Sequence, residues 1–104
     1  MNGKQLKSKY ETSIIKRSDL NLLDAGTALQ FLADIESNGI VLHGIEGYWL
    51  KGKTIQPSMD ESIYFRGGDD IRLPSLPGDT PLAKAKSFLQ QRQIADLWFD
   101  FDIE

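Results

Sequence analysis

Apolar residues recur at helical spacing between residues 25 and 35 of the 104-residue chain. Their intervals of three and four residues place them on one face of a helix. Asp24 is a good N-cap for this helix, and Asn38-Gly39 is a C-terminal stop signal. The pattern therefore predicts a helix between these two signals. Its inward positions are Ala25, Ala28, Leu29, Leu32 and Ile35.

A short apolar run follows that helix directly. Residues 40–45 are mostly aliphatic, β-branched at the start and bounded by glycines, which predicts a strand that is buried on both faces inside a sheet. Gly44 and Gly47 indicate a turn or bulge after this strand. Further short strands are predicted at residues 48–50, 54–55 and 62–65. Pro57 is expected to end the strand at residues 54–55.

The chain ends in the clearest strand pattern of the sequence, because apolar and polar side chains alternate strictly there. One face carries Leu97, Phe99, Phe101 and Ile103. The opposite face carries Asp96, Trp98, Asp100, Asp102 and Glu104. Before this strand, Thr80-Pro81 predicts the start of a second helix, since an N-cap hydroxyl is followed by proline at the first helical position.

These elements predict a single α+β domain over residues 1–104. Short connections favour an antiparallel or mixed sheet with two helices packed on one face. Residues 1–20 have little pattern and are expected to form a basic N-terminal arm. The predicted core consists of Leu29, Leu32, Ile35, Val41, Leu89, Leu97, Phe99 and Phe101.

Composition limits the chemistry of the chain. With no cysteine and one histidine, it has no disulfide, no thiol nucleophile, and no Cys-ligated or multi-His metal site. No apolar run approaches the ~20 residues of a membrane span, and the polar N-terminus lacks the pattern of a secretory signal. We therefore expect a cytoplasmic protein that uses no cofactor and does not contact a membrane.

Charge is distributed unevenly along the chain. The net charge is −3, but residues 1–18 carry +4 and residues 19–104 carry −7. An acidic body argues against direct nucleic-acid binding, which requires clustered lysine and arginine. It suits a basic protein partner, although an acidic surface also serves solubility alone.

His43 is the candidate general base. A catalytic histidine needs an orienting carboxylate and a nearby nucleophile or substrate. His43 lies in an apolar strand, Glu46 is separated from it by a glycine, and no serine stands at a suitable spacing. The pattern therefore favours a structural or interface histidine over a catalytic one.

Carboxylates form the other candidate groups. The adjacent pairs Asp60-Glu61 and Asp69-Asp70 are typical of solvated turns. The carboxylates of the last strand share one face, but a flat strand spreads successive ligands ~7 Å apart, so we expect no metal site there. Trp98 stands among these carboxylates, which is the composition of an interface anchor.

Three segments of the chain carry a family resemblance: a helix, a turn bracketed by glycines, and a strand that contains Gln-Pro followed by an acidic residue and Ser-Ile. They are Ala28–Leu32, Gly39–Tyr48 and Thr54–Ile63. In this pattern the chain resembles small bacterial immunity proteins, including the partners of polymorphic toxins and of contact-dependent growth inhibition toxins. The resemblance implies a non-enzymatic inhibitor that binds a cognate toxin, often a nuclease, inside the producing cell. It transfers no site residue.

The leading hypothesis is therefore an immunity protein that binds a basic toxin through its carboxylates, as a monomer or weak dimer. The predicted partner-binding residues are Asp60, Glu61, Asp69, Asp70, Asp96, Trp98, Asp100, Asp102 and Glu104. Two alternatives stay open. One is a small enzyme that uses His43 with a carboxylate, and the other is a generic protein-binding adaptor.

Overall fold

A computed structural model describes residues 2–17, 19–65 and 81–104 of the chain. Its elements, in chain order, are α1 (Gly3–Lys9), β1 (Ile15–Arg17), β2 (Leu20–Asp24), α2 (Ala25–Ser37), β3 (Leu42–Lys51), β4 (Thr54–Tyr64), α3 (Pro81–Gln90) and β5 (Leu97–Ile103). The strands form one antiparallel sheet in the spatial order β1-β2-β5-β3-β4. The predicted α+β class is confirmed. The predicted N-cap Thr80 and the acidic pair Asp69-Asp70 lie outside the described residues.

Helix α2 has the predicted ends. The side chain of Asp24 accepts a hydrogen bond from the backbone N–H of Thr27 at 2.8 Å, which satisfies one of the free donors of the first turn. At the other end, Gly39 takes a φ of 62°, and the N–H of Ile40 then donates to the carbonyl of Ile35 at 3.0 Å. This is a Schellman ending, which favours glycine because a left-handed backbone is costly for a residue with a Cβ.

That ending overturns one core prediction. Residues 40 and 41 are used to leave the helix, so the strand begins only at Leu42. Val41 is therefore 50% exposed, and its assignment to the core is wrong. From Leu42 onward the chain runs as one strand to Lys51, not as two strands separated by a turn.

The predicted bulge is formed by strand β4, opposite Glu46 of β3. Ile45 faces Ile63 and Gly47 faces Ser58, so four residues of β4 stand opposite one residue of β3. The hydroxyl of Ser62 accepts from the N–H of Gly47 at 3.0 Å and donates to the carbonyl of Ser58 at 2.7 Å. These two bonds hold the bulge closed and let β4 continue through it.

Strand β4 is one element where two short strands were predicted, and Pro57 lies inside it. A proline cannot donate to a ladder, but among the described strands β4 has a partner on one side only. The edge position therefore tolerates Pro57. Together with the bulge, Pro57 makes this edge of the described sheet a poor template for another strand.

The N-terminal segment is part of the folded unit, which the sequence pattern did not predict. Asn2 and Gln5 form a reciprocal capping box that starts α1. Leu6 is fully buried, and the ring of Tyr10 meets the ring of Phe31 edge-on, with centroids 5.2 Å apart. Helix α1 is thus a third helix docked on α2, where the sequence indicated a weakly patterned basic arm.

Most of the buried side chains form one cluster between the helices and one face of the sheet. All three helices contribute to it, from Leu6 in α1 to Leu89 in α3. Six of the predicted core residues are buried: Leu32, Ile35, Leu89, Leu97, Phe99 and Phe101. Leu29 is half-buried and packs against this cluster. None of the described helices has the length and apolar character needed to cross a bilayer.

Candidate functional site

Carboxylates and aromatic rings share the face of the sheet that is turned away from the helical core. Strands β3 and β5 pair so that Glu46 lies opposite Asp100 and Tyr48 lies opposite Trp98. Side chains directly opposite each other point to the same face, and Asp102 lies two residues further along that face of β5. We call these five residues, Glu46, Tyr48, Trp98, Asp100 and Asp102, the acidic sheet face.

The three carboxylates of the acidic sheet face are hydrogen-bonded or solvated but have no ion pair. Glu46 accepts from the hydroxyl of Tyr48 at 2.9 Å, and Asp100 accepts from the backbone N–H of Asn21 at 3.3 Å. Asp102 is exposed. None of the ion pairs found within the described residues includes any of them. Their negative charge is therefore available to a partner.

Burial and mutual repulsion act on the ionisation of this face. Burial raises the pKa of Asp100 above its ordinary value, and the negative charges of Glu46 and Asp102 raise it further. The hydrogen bond from Asn21 and the charge of Lys7 oppose this rise without cancelling it. Burial also raises the pKa of the Tyr48 hydroxyl, which the hydrogen bond to Glu46 reinforces. The folded protein thus holds Asp100 where ionisation is disfavoured.

Trp98 lies in the middle of the sheet, because β5 has strand neighbours on both sides. Its side chain is half-buried, and Tyr48 opposite it is buried. Tyr64, on the outermost of the described strands, is 49% exposed. Aromatic surface beside unpaired carboxylates can accept a cationic side chain, since a ring face attracts a cation and a carboxylate pairs with it.

Two predicted residues of the terminal strand do not continue the acidic sheet face. Asp96 precedes β5 and is exposed, with a left-handed φ of 68° and a carbonyl that accepts from the N–H of Leu50 at 2.7 Å. Glu104 follows β5, and its carboxylate lies 3.3 Å from Nε2 of His43. The alternation that placed both residues on one face ends with the strand itself.

The bulge of β4 carries the predicted pair Asp60-Glu61. Glu61 accepts from Nε of Arg92 at 2.7 Å, and both side chains are about one-fifth exposed. Arg92 also donates to the carbonyl of Asp60 at 3.4 Å and lies 4.0 Å over the ring of Phe88. Glu61 therefore ties the end of α3 to β4, whereas the side chain of Asp60 points to solvent.

His43 pairs with the carboxylate of Glu104 and not with that of Glu46, which is nearer in the sequence. Its Nε2 lies near Glu104, both side chains are well exposed, and Glu46 is engaged by Tyr48 instead. An exposed pair of this kind contributes little to stability. The contact joins the start of β3 to the residue after β5.

Sequence reasoning missed two members of the acidic sheet face, Glu46 and Tyr48. Their alternation with Ile45 and Trp49 could have indicated a common outward face, but the glycines around Glu46 suggested a turn instead. The bulge in β4 removes that conflict, because it lets β3 run straight through Gly47. Comparisons of the chain with protein-family models, with curated proteins and with solved structures find no match.

Proposed function

We propose that this chain is a cytoplasmic immunity protein that binds and neutralises a bacterial toxin, of the nuclease class, through the acidic sheet face. The observation that carries the proposal is the row of three carboxylates on adjacent strands, Glu46, Asp100 and Asp102, none of them ion-paired within the described residues. Such a row costs stability, because like charges on neighbouring strands repel each other. A basic partner would compensate for that cost.

The chemistry of a nuclease toxin matches this surface. A nuclease holds its substrate through basic side chains that contact phosphates. Carboxylates presented at the spacing of neighbouring strands can pair with those side chains and keep the nucleic acid out. Opposite charge on the two surfaces also accelerates their encounter. Trp98, half-buried among the carboxylates, supplies the apolar contact that slows dissociation.

The test is growth rescue with direct binding. The genes encoded beside this one are expressed in a susceptible strain, with and without the present chain. The purified product of any gene that stops growth is then combined with the chain in a stopped-flow binding experiment. We expect rescue by the wild-type chain. We expect Asp100→Lys with Asp102→Lys to abolish rescue and to slow association at low salt. Trp98→Ala should mainly raise the dissociation rate.

A matched control distinguishes an effect of the acidic sheet face from an effect of the net charge of the protein. Asp19→Lys with Glu36→Lys changes the net charge by the same amount at two exposed residues outside the acidic sheet face. This control should rescue growth as the wild type does. If the double reversal on β5 leaves association and affinity unchanged, the acidic sheet face is not the interface. If the chain neither binds nor protects, the immunity role itself is wrong.

A further inference from the structure

A cleft of about 450 Å³ lies between α1 and the part of the sheet where strands β2 and β5 separate. The two strands pair only through Leu23 and Asp24 of β2. Beyond that point the backbone N–H of Asn21 is met by the side chain of Asp100 and not by the backbone of β5. The separation leaves a space that α1, β1 and the end of β5 enclose.

Helix α1 turns a positively charged face to this cleft. Leu6 and Tyr10 point to the core, while Lys4 and Lys7 line the cleft together with Lys16 of β1. Neither Lys4 nor Lys7 takes part in an ion pair within the described residues. Lys16 has only a contact at 4.0 Å with Glu11. Three ammonium groups are thus gathered in a chain whose net charge is negative.

Two carboxylates also border the cleft, but both are exposed. Glu11 is 70% exposed, and Glu104 faces His43. The remaining lining is polar at Ser8 and Asn21 and apolar at Ile14 and Ile103, both of which are half-buried against the core. The cleft therefore combines three lysines and two glutamates with an apolar floor, and its volume falls in the range of small-molecule sites.

We propose that this cleft binds a small organic phosphate. Three lysines around one space suit a compact dianion, because each ammonium acts as a point charge with several donors. The apolar floor formed by Ile14 and Ile103 then contacts the organic part of the ligand. The cleft adjoins the acidic sheet face at Asn21, whose N–H donates to Asp100, but it includes none of the five residues of that face. The proposal therefore does not depend on the toxin-binding role.

The probe is AMP, with adenosine and inorganic phosphate as comparison ligands, titrated into the full chain labelled with ¹⁵N. We expect AMP to shift the amide signals of α1 and of Asn21, and adenosine at the same concentration to leave them unchanged. Inorganic phosphate should bind more weakly than AMP, because it makes no contact with the floor. Isothermal titration then gives the affinity for each variant.

Two variants are expected to change the affinity for AMP in opposite directions. Lys4→Gln with Lys7→Gln should weaken AMP binding about tenfold, because two exposed charge contacts are lost. Glu11→Gln should tighten it, since a repelling carboxylate beside the ligand is removed. Lys84→Gln with Lys86→Gln changes two exposed lysines of α3 and should leave the affinity unchanged.

Three results would overturn the proposal. The first is no AMP binding at millimolar concentration by a chain whose amide spectrum shows it folded. The second is AMP binding that the Lys4 and Lys7 substitutions leave unchanged. The third is binding of an acidic tripeptide in place of AMP, which would make the cleft a peptide site. None of these results bears on toxin binding, which is measured separately.

Discussion

Glu46 of β3 lies directly opposite Asp100 of β5 on the side of the sheet turned away from the helical core. Both side chains are half-buried, and the ion pairs of the described residues include neither. Two like charges in this position destabilise a sheet. The fold thus retains, near the middle of the sheet, a pair of groups that lowers its own stability and that a cationic partner would compensate.

Asp100→Asn should stabilise the free protein at neutral pH. The pKa of Asp100 is raised by burial first and by the neighbouring carboxylates second, so its ionisation costs folding free energy. That cost is present in full above the raised pKa and vanishes below the ordinary value of 3.8, where both the folded and the unfolded states are protonated. The amide oxygen of asparagine can still accept from the N–H of Asn21.

Urea unfolding at neutral pH and in acid checks this prediction. The midpoint of Asp100→Asn should exceed that of the wild type at neutral pH, and the difference should shrink as the pH falls. Glu36→Gln, at an exposed position on α2, serves as the control and should leave the midpoint unchanged at both pH values. A loss of stability in Asp100→Asn at neutral pH would mean that the carboxylate supports the fold.

Tyr10→Phe should destabilise the protein by about 1–2 kcal/mol, because a partly buried hydrogen bond to a charged group is lost. The hydroxyl of Tyr10 donates to Asp34 at 2.6 Å, and Lys9 lies 3.0 Å from the same carboxylate oxygen. Burial, reinforced by Asp34, raises the pKa of Tyr10 to about 12, so the hydroxyl remains a donor at neutral pH. Tyr64→Phe at an exposed ring is the control and should be neutral.

The same pair predicts the direction of acid sensitivity. The hydrogen bonds from Tyr10 and Lys9 lower the pKa of Asp34. Its contribution to stability is therefore present above the ordinary value of 3.8 and is lost as the pH falls through the lowered pKa. The difference between Tyr10→Phe and the wild type should narrow in strong acid. A constant difference at every pH would show that the ring contact with Phe31, and not the hydrogen bond, had changed.

Gly47→Ala and Gly26→Ala should change stability in opposite directions. A Cβ at residue 47 would overlap the backbone carbonyl of Glu61 in the bulge of β4, so the strands would have to separate. We expect a cost of about 1–3 kcal/mol, the usual range for overpacking. A Cβ at residue 26 meets only a side-chain oxygen of Asp24 at 3.7 Å. Alanine there should add about 0.5–1 kcal/mol through helix propensity.

Thermal unfolding of the two alanine variants, followed by circular dichroism, measures the change in melting temperature for each. We expect a decrease for Gly47→Ala and an increase for Gly26→Ala. Equal effects of the two substitutions would show that the close approach of Gly47 to the bulge does not limit the packing of β3 on β4.

Phe99→Ala should cost about 3–5 kcal/mol, as expected for a phenylalanine removed from a packed core. Phe99 is fully buried, and its ring lies edge-on to Phe88 with centroids 5.9 Å apart. Ile94→Ala is the control, because Ile94 is 46% exposed in the turn before β5 and should change stability by no more than about 0.5 kcal/mol. An unchanged melting temperature for Phe99→Ala would contradict the inward orientation of β5.

The elements that the sequence predicted well are those whose signals are local. Asp24 and Gly39 mark the ends of α2 within a few residues of the groups they satisfy. The alternation in β5 identifies its inward face without reference to any partner strand, and Phe99 and Phe101 are buried accordingly. Helix caps and side-chain periodicity depend on residues within a single segment, so the sequence of that segment is enough to predict them.

The elements that it missed depend on contacts between distant segments. Helix α1 has seven residues, too few to be stable alone, and is held by burial of Leu6 and by Tyr10 against Phe31. Strand β1 has three residues and, among the described strands, pairs only with β2. Helix α1 and strand β1 are stabilised by tertiary packing, so their own sequences carry little periodicity from which to predict them.

The candidate site divides in the same way. The sequence by itself determined that Trp98, Asp100 and Asp102 share the face of β5 opposite its apolar residues, because side chains alternate along any strand. Only the tertiary structure decided that Glu46 joins them, since the register between β3 and β5 joins residues more than fifty positions apart in the chain. Long-range packing also places Glu61 in an ion pair with Arg92. It separates β2 from β5, which opens the lysine-lined cleft. Neither arrangement follows from a local sequence pattern, because each depends on how distant segments pair.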